Sequence, residues 1–328
     1  MSGEKPAARL RGRVRILLIP ALALPLLSVG ACDSNSTSGA SPTTTSPPAP
    51  STPTGTSTPA ETGTGAGTDT TAPGTPPAAS PPTSRPPEPT PRRVSTAVYF
   101  MHGEFVSAAP RTVTGPATAA GSLRALLAGP SDYESRHGRT TAIPSGTTLR
   151  SLSVRDRVAT VDLSGRYDDG GGTLSMRARL AQVVFTVTRH PTIDKVRFQL
   201  DGKPVTAFGG EGIVLNRPVG RADFEDVAPV VLIESPLIGD SIRTPVRVWG
   251  SANTFEAEFR LKVTDVNGRT AADVQVMATS GSGTRGTFDV TFPYRAGGSG
   301  AGVLTAYFYS PEDGRPVTVD TVPLTVNR

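Results

Sequence analysis

The side chains able to serve as nucleophile, base or metal ligand are few and far apart in this chain of 328 residues. There is one cysteine, Cys32, and there are three histidines, His102, His137 and His190, separated by 35 and 53 residues. A hydrolytic nucleophile needs a base within hydrogen-bond reach and a turn that presents it. None of the histidines sits in such a setting, and each reads as a solvated or turn residue. A lone thiol excludes a disulfide framework and any cysteine-built zinc or iron–sulfur site. No His/Asp/Glu cluster has metal-ligand spacing. Asp168-Asp169-Gly170-Gly171-Gly172 lacks the alternating oxygen ligands and distal glutamate of an EF-hand loop. It reads as a polar loop before a helix that starts at Thr173 or Ser175. Nothing in linear order marks the paired carboxylates of a glycoside hydrolase. The expectation is a protein that is not an enzyme and holds no metal or dissociable cofactor.

The formal net charge of +5 and a pI near 9.6 would raise nucleic acid as a partner. Residues 1–31, however, carry five basic residues and one acid, and residues 94–328 carry 25 basic and 23 acidic, a net of only +2. No nucleic-acid partner is expected. Residues 16–31 are uncharged and largely apolar, follow Lys5, Arg9, Arg11, Arg13 and Arg15, and end in small residues, which is a secretory signal pattern. That apolar run is short of the roughly 20 residues of a spanning helix and is broken by Pro20 and Pro25. Val29-Gly30-Ala31-Cys32 then resembles the lipobox of bacterial lipoproteins. The resemblance implies a diacylglycerol on the Cys32 thiol, a mature N-terminus at Cys32 and attachment to the extracytoplasmic face of the cell membrane; a plain secreted protein is the alternative.

Residues 33–93 contain fifteen prolines, and all but eight of these 61 positions are Ser, Thr, Pro, Gly or Ala. With no large apolar residue the segment cannot build a core. It is expected to be a disordered, partly polyproline II spacer with a ceiling of roughly 190 Å, of a composition also found in O-glycosylated stalks. Gly63-Thr64-Gly65-Ala66-Gly67 lies inside it, with no strand before and no helix after, and so fails as a phosphate loop.

Beyond the spacer the chain reads as two domains. In residues 94–226, strands are predicted over 94–101 and 105–113, and a helix around 122–127 is closed by Gly129-Pro130. A hairpin over 148–154 and 157–163 turns at Arg155-Asp156. A helix over 173–188 puts Leu174, Ala178, Ala181, Val184, Phe185 and Thr188 on one face, with Arg177 and Arg179 elsewhere. A strand over 194–200 then precedes a tight turn at Asp201-Gly202. The order predicts an α+β domain, a small mixed sheet with two helices. In residues 227–328, alternating runs at 230–233, 246–249, 257–263, 274–278, 287–292, 303–309 and 317–326 predict an all-β, immunoglobulin-like sandwich without its disulfide. Trp249 is expected in or near its core.

Leu126-Leu127-Ala128-Gly129-Pro130, Thr141 to Thr147 (TAIPSGT), Val161-Asp162-Leu163-Ser164, Arg179 to Thr188 (RLAQVVFTVT), and Val196-Arg197-Phe198 with Asp201-Gly202-Lys203 resemble, in that order, the GerMN domain of sporulation and spore-germination proteins. Ile233-Glu234-Ser235-Pro236, residues 245–253 and Ser310 to Gly314 are similar to the immunoglobulin-like domain of bacterial spore-germination proteins. The two resemblances imply a non-catalytic envelope lipoprotein whose domains bind or assemble with other envelope proteins or with copies of itself. Two alternatives stay open. One is a cell-wall glycan or peptide binder, suggested by Tyr294, Tyr307 and Tyr309 if exposed; the other is a sensor accessory of a membrane kinase. Within the matched blocks, Pro144 and Gly146 should fix a loop, Asp162 and Ser164 should cap backbone amides, and Gln182 should serve buried backbone.

Overall fold

The computed structural model describes residues 92–116, 118–210 and 212–328; the expected signal segment, Cys32 and nearly all of the expected spacer lie outside the described residues. The first domain opens with β1 (Arg93–His102) and β2 (Phe105–Thr114), antiparallel from Arg93↔Thr114 to His102↔Phe105 around Gly103 at φ 63°. Helix α1 (Thr118–Leu127) follows and stops where predicted, at Gly129, whose φ of 84° suits a residue without Cβ. Next come α2 (Asp132–Arg136), β3 (Arg139–Thr140) on the free edge of β1, and the hairpin of β4 (Leu149–Arg155) and β5 (Val158–Leu163). The hairpin turns at Asp156 and Arg157, φ 49° and 61°, one residue later than the sequence suggests. Helix α3 (Thr173–Val187) crosses over to β6 (Lys195–Leu200), parallel to β5; short strands β7 (Lys203–Pro204), β8 (Ala207–Phe208) and β9 (Ile213–Val214) complete the domain.

These strands form two small sheets, β2-β1-β3 and the mixed β4-β5-β6-β7, plus the β8-β9 pair. α3 touches β1 of the first sheet and β6 of the second. That placement changes its burial: every residue from Ala178 to Val187 is buried, whereas Leu174, expected on the core face, is 52% exposed. The stretch Leu180 to Val187, apolar but for Gln182 and Thr186, is buried on all sides and behaves as a core helix, and the six-residue stripe inferred from periodicity is too narrow.

The second domain is a sandwich. One sheet orders β10 (Val231–Ser235), β12 (Val246–Ala252) and β15 (Gly286–Phe292). The other orders β11 (Ser241–Ile242), β17 (Pro316–Val326), β16 (Gly300–Tyr309), β13 (Glu258–Thr264) and β14 (Thr270–Met277). All seven predicted strands are present, and β11 is an added short one. Alternate residues meet between the sheets, Phe259 against Phe288 with ring centroids 4.9 Å apart. Among the described residues no helix is long and apolar enough to cross a membrane.

Candidate functional site

The residues that looked able to do chemistry are engaged structurally. His190 Nε2 lies 2.9 Å from Ser122 Oγ and its Nδ1 lies 3.4 Å from Thr118 Oγ1. Ser122 is fully buried and also reaches Thr118 O at 2.9 Å, so the pair ties α1 to the segment just after α3. Burial, then Arg189, lowers the His190 pKa. His137 Nδ1 lies 2.8 Å from Tyr133 O. His102 is 4.0 Å from Asp320, but burial and Arg139 lower its pKa, so it is neutral near pH 7.

The Asp168–Gly172 loop already holds a cation, and that cation is Arg179. This side chain, expected to point away from the core, is 3% exposed and donates to four backbone carbonyls: Ala142 (3.2 Å), Tyr167 (2.5 Å), Asp169 (3.3 Å) and Gly170 (2.9 Å). Two of these four carbonyls, Asp169 and Gly170, belong to the loop itself. Among the described residues no group of three or more His, Cys, Asp or Glu could hold a metal ion. Arg179→Lys keeps the charge and loses the planar fork; with buried carbonyls left unpaired it is expected to cost about 2–4 kcal/mol, read as a lower urea midpoint at unchanged slope.

The other polar residues of the matched blocks work locally. Gln182, with no exposed surface, accepts from Ala142 N at 2.8 Å and donates to Tyr99 O at 3.1 Å. Asp162 accepts from Gly202 N at 3.0 Å and Ser164 Oγ from Thr148 N at 3.0 Å. Gly146 has φ 80°, and Thr147 Oγ1 donates to Pro144 O at 2.7 Å.

A cluster of charge built around the buried Glu234 lies where the two domains meet. Glu234 falls at the bulge between Ile233 and Ser235 on β10, where one extra residue turns its side chain out of register and into the junction. There it accepts from the Tyr99 hydroxyl at 2.7 Å, from Arg221 and from Arg189 at 3.3 Å. Arg221 also donates to Tyr99 Oη (3.2 Å), Phe185 O (3.2 Å) and Thr188 Oγ1 (3.0 Å), and its guanidinium lies over the Phe185 ring at 4.9 Å. Burial alone would raise the Glu234 pKa, but Arg221, the Tyr99 hydroxyl and Arg189 outweigh it and hold the carboxyl below its ordinary range. Burial, with Glu234 beside it, pushes the Tyr99 phenol well above its ordinary value.

Around this centre the linking segment Arg221–Val227 is held from both sides. Arg177 of α3 pairs with Asp226 and donates to Asp223 O at 2.8 Å. On the sandwich side, Arg285 grips Glu225 through contacts of 2.9 Å and Asn253 donates to Glu225 at 2.8 Å. A second tie runs from Arg139, 2% exposed, to Thr321 O at 2.8 Å beside the buried Asp320 carboxyl. The described residues of the two domains thus form one docked unit.

Three aromatic expectations are corrected. Trp249 lies half-buried on the outer face of β12 beside Arg247, with the Arg189 guanidinium 4.3 Å from its ring. Alternation from Val246 and Val248 assigns it to that face, and its burial comes from the neighbouring domain. Tyr294 is 4% exposed, its hydroxyl within reach of Ile242 O (2.9 Å) and Asn327 O (2.8 Å). Tyr307 is 7% exposed and donates to Asp273 at 2.7 Å. Of the three tyrosines offered as exposed, Tyr309 alone remains so, at 55%.

Comparison with known proteins follows this division. Residues 97–206 match the family model Germane, sporulation and spore germination, and residues 230–315 match Gmad2, the immunoglobulin-like domain of bacterial spore germination. Among solved structures the chain is similar to a protein of Clostridium perfringens provisionally described as a lipoprotein (20% identity, TM-score 0.31, 42% of this chain and 93% of that one). It is also similar to the tandem GerMN domains of the sporulation protein GerM from Bacillus subtilis (14% identity, TM-score 0.36, 61% of each chain). The first GerMN domain of GerM aligns by itself with 18% identity and a TM-score of 0.32, covering 39% of this chain and 98% of that one. No curated protein matches the chain.

Proposed function

We propose that this chain, which carries a Germane domain followed by a Gmad2 immunoglobulin-like domain, is a non-catalytic binding or assembly module of the cell envelope, tethered by lipid to the outer face of the cell membrane. One observation carries the reading. The buried charged and polar side chains that could have formed a reactive constellation, Tyr99, Glu234, Arg221, Arg179 and Gln182, are consumed in docking the two domains and bracing their loops. What the pair then offers a partner is a fixed outer surface. In this reading Cys32 carries diacylglycerol, whose two acyl chains at about 0.8 kcal/mol per buried CH2 give stable anchoring where a single chain would not. The spacer holds the docked domains away from the membrane, and the partners are other envelope proteins or further copies of this chain.

The tether is tested by Cys32→Ser. The variant should leave the membrane fraction for the medium or the wash, with residues 94–328 folded as before. A variant that stayed with the membrane through detergent phase separation would assign the anchor to another part of the chain. A second reading, a glycan binder of the cell wall, is favoured by one feature: the exposed rings of Phe255 and Tyr309 on the sandwich. Sedimentation of the full chain with purified cell wall, lost on Tyr309→Ala, would select it.

A further inference from the structure

At one end of the outer face of the five-stranded sheet lies a groove of about 330 Å3 between Phe255, Glu256, Glu258, Phe308, Tyr309 and Pro311. Two of its rings stand in water, Phe255 at 66% and Tyr309 at 55% exposure. Exposed apolar surface gathered in a concavity marks a contact site more often than scattered single residues do. Both walls are set in place. Tyr309 rests edge-on against the buried Tyr307, centroids 5.7 Å apart at 83°. Phe255 begins a turn in which Glu256 and Ala257 both take the left-handed conformation, φ 53° and 62°. That turn is pinned by Ser282 Oγ, which accepts from Glu256 N at 3.0 Å, and by Gly281, where a Cβ would fall 2.4 Å from Thr254 O.

The charge of the groove is one-sided. Its lining cation, Arg260, is occupied: Nε donates to Asp273 at 2.9 Å and to Tyr307 Oη at 3.0 Å. Glu258 accepts from Gln275, and among the described residues the Glu256 carboxylate has no hydrogen-bonded or ion-paired partner. Aromatic faces beside carboxylates whose negative charge is not neutralised attract a cation on an apolar stem, through the ring quadrupole and the ion pair together.

We propose that this groove docks a basic, extended segment of another envelope protein, laying an arginine or lysine side chain against Tyr309 and Phe255 with its charge met by Glu256 and Glu258. The proposal rests on the protein-binding reading above and names the chemistry of the partner. The flat guanidinium suits the stacked position better than a compact ammonium does, so arginine is preferred.

The test is a fluorescence-anisotropy titration of the full mature chain with a labelled arginine–proline repeat of about twelve residues, a length and backbone suited to an aromatic groove. A glutamate–proline repeat of the same length is the comparison. The basic probe should bind saturably and the acidic one at least tenfold more weakly. Tyr309→Ala and Phe255→Ala should each weaken the basic probe about fivefold. Glu256→Gln with Glu258→Gln should weaken it about tenfold and flatten its salt dependence. Leu174→Ala, at an exposed position of the first domain, should leave it unchanged. Equal binding of the two probes, or binding of wild-type strength by the Tyr309 and double-glutamine variants, overturns the proposal. So does loss of cell-wall sedimentation on Tyr309→Ala without peptide binding, which would give the groove to glycan. Photo-crosslinkers placed in cells at 255 and at 174 separate this failure from that of the broader reading. Protein captured from 174 but not from 255 removes the groove and leaves a protein-binding module; capture from neither removes both.

Discussion

Arg221→Ala is expected to destabilise the docked pair of domains by about 3–5 kcal/mol, the range for breaking a buried ion pair by deleting one partner. The size follows from what is left behind. Glu234 is 6% exposed, and without Arg221 its ionised carboxylate keeps only the Tyr99 hydroxyl and the more distant Arg189. Phe185 O and Thr188 Oγ1 lose a donor at the same time. Tyr99→Phe removes one hydroxyl from the same centre and should cost about 1–2 kcal/mol. Combining the two should cost less than their sum, because residues sharing one network do not act independently. Urea unfolding of the full chain reads all three. A further sign is cooperativity: a chain docked through this centre unfolds in one transition, and Arg221→Ala should split it into two. An Arg221→Ala protein that unfolds at the wild-type midpoint in a single step would mean that apolar contacts of Phe224, Val227 and β10 hold the junction without the ion cluster.

The second large effect is pH-dependent and comes from Asp320. Burial pushes its carboxyl up to about 6, against the pull of Arg139 and of hydrogen bonds from the backbone of Ile233 and Thr321. The groups facing it are Arg139 of β3 and His102 of β1, the latter neutral near pH 7. Because the folded state binds this proton more tightly than the unfolded state does, the contribution is fully present below pH 3.8. It is lost as the pH rises through about 6. The gap between 3.8 and about 6 corresponds to about 3 kcal/mol. Other carboxylates act in the opposite sense. Glu234 and Glu134, where arginine contacts outweigh burial, and Asp226, where the Arg177 hydrogen bond leads, are all held below their ordinary values, so they lose stability as the pH falls. The clean observable is therefore a difference. Asp320→Asn should gain on the wild type by about 2–2.5 kcal/mol between pH 4 and pH 7. A difference that stays flat across that window would show that Asp320 titrates normally and that its carboxyl is hydrated.

The sequence carried most of the architecture because strand alternation and helix stops are local. The seven sandwich runs, the stop at Gly129 and the crossover from β5 through α3 to β6 are all readable from period and punctuation. Two further features have local signals in the sequence. Ser131 and Glu134 form a capping box, with Ser131 N donating to Glu134 at 2.7 Å, and so announce the short α2. The odd step from Val248 to Trp249 places the indole on the outer face. The remaining differences are tertiary. Arg179 is buried because a loop twelve residues upstream turns its carbonyls toward it, and no pattern within α3 records that. Glu234 reads as a strand end; only the bulge and the arrival of Arg221 and Tyr99 from another domain make it the centre of the junction. Tyr309 could be placed on one face with Tyr307 from alternation, but which of them stays in water depends on how Asp273 and Arg260 cover the inner ring. Cys32, the residue with the most specific chemical reading, lies outside the described residues and rests on its resemblance to a lipobox.

The central proposal, that the docked domains form a binding surface held away from the membrane, is tested most directly by cross-linking the protein in its own cells and identifying by mass spectrometry what residues 94–328 capture. The account predicts reproducible links from the outer surface of these domains to at least one other envelope protein or to a second copy of the chain, lost when the protein is released by Cys32→Ser. Links confined to pairs within a single copy, unchanged by that substitution, would contradict it.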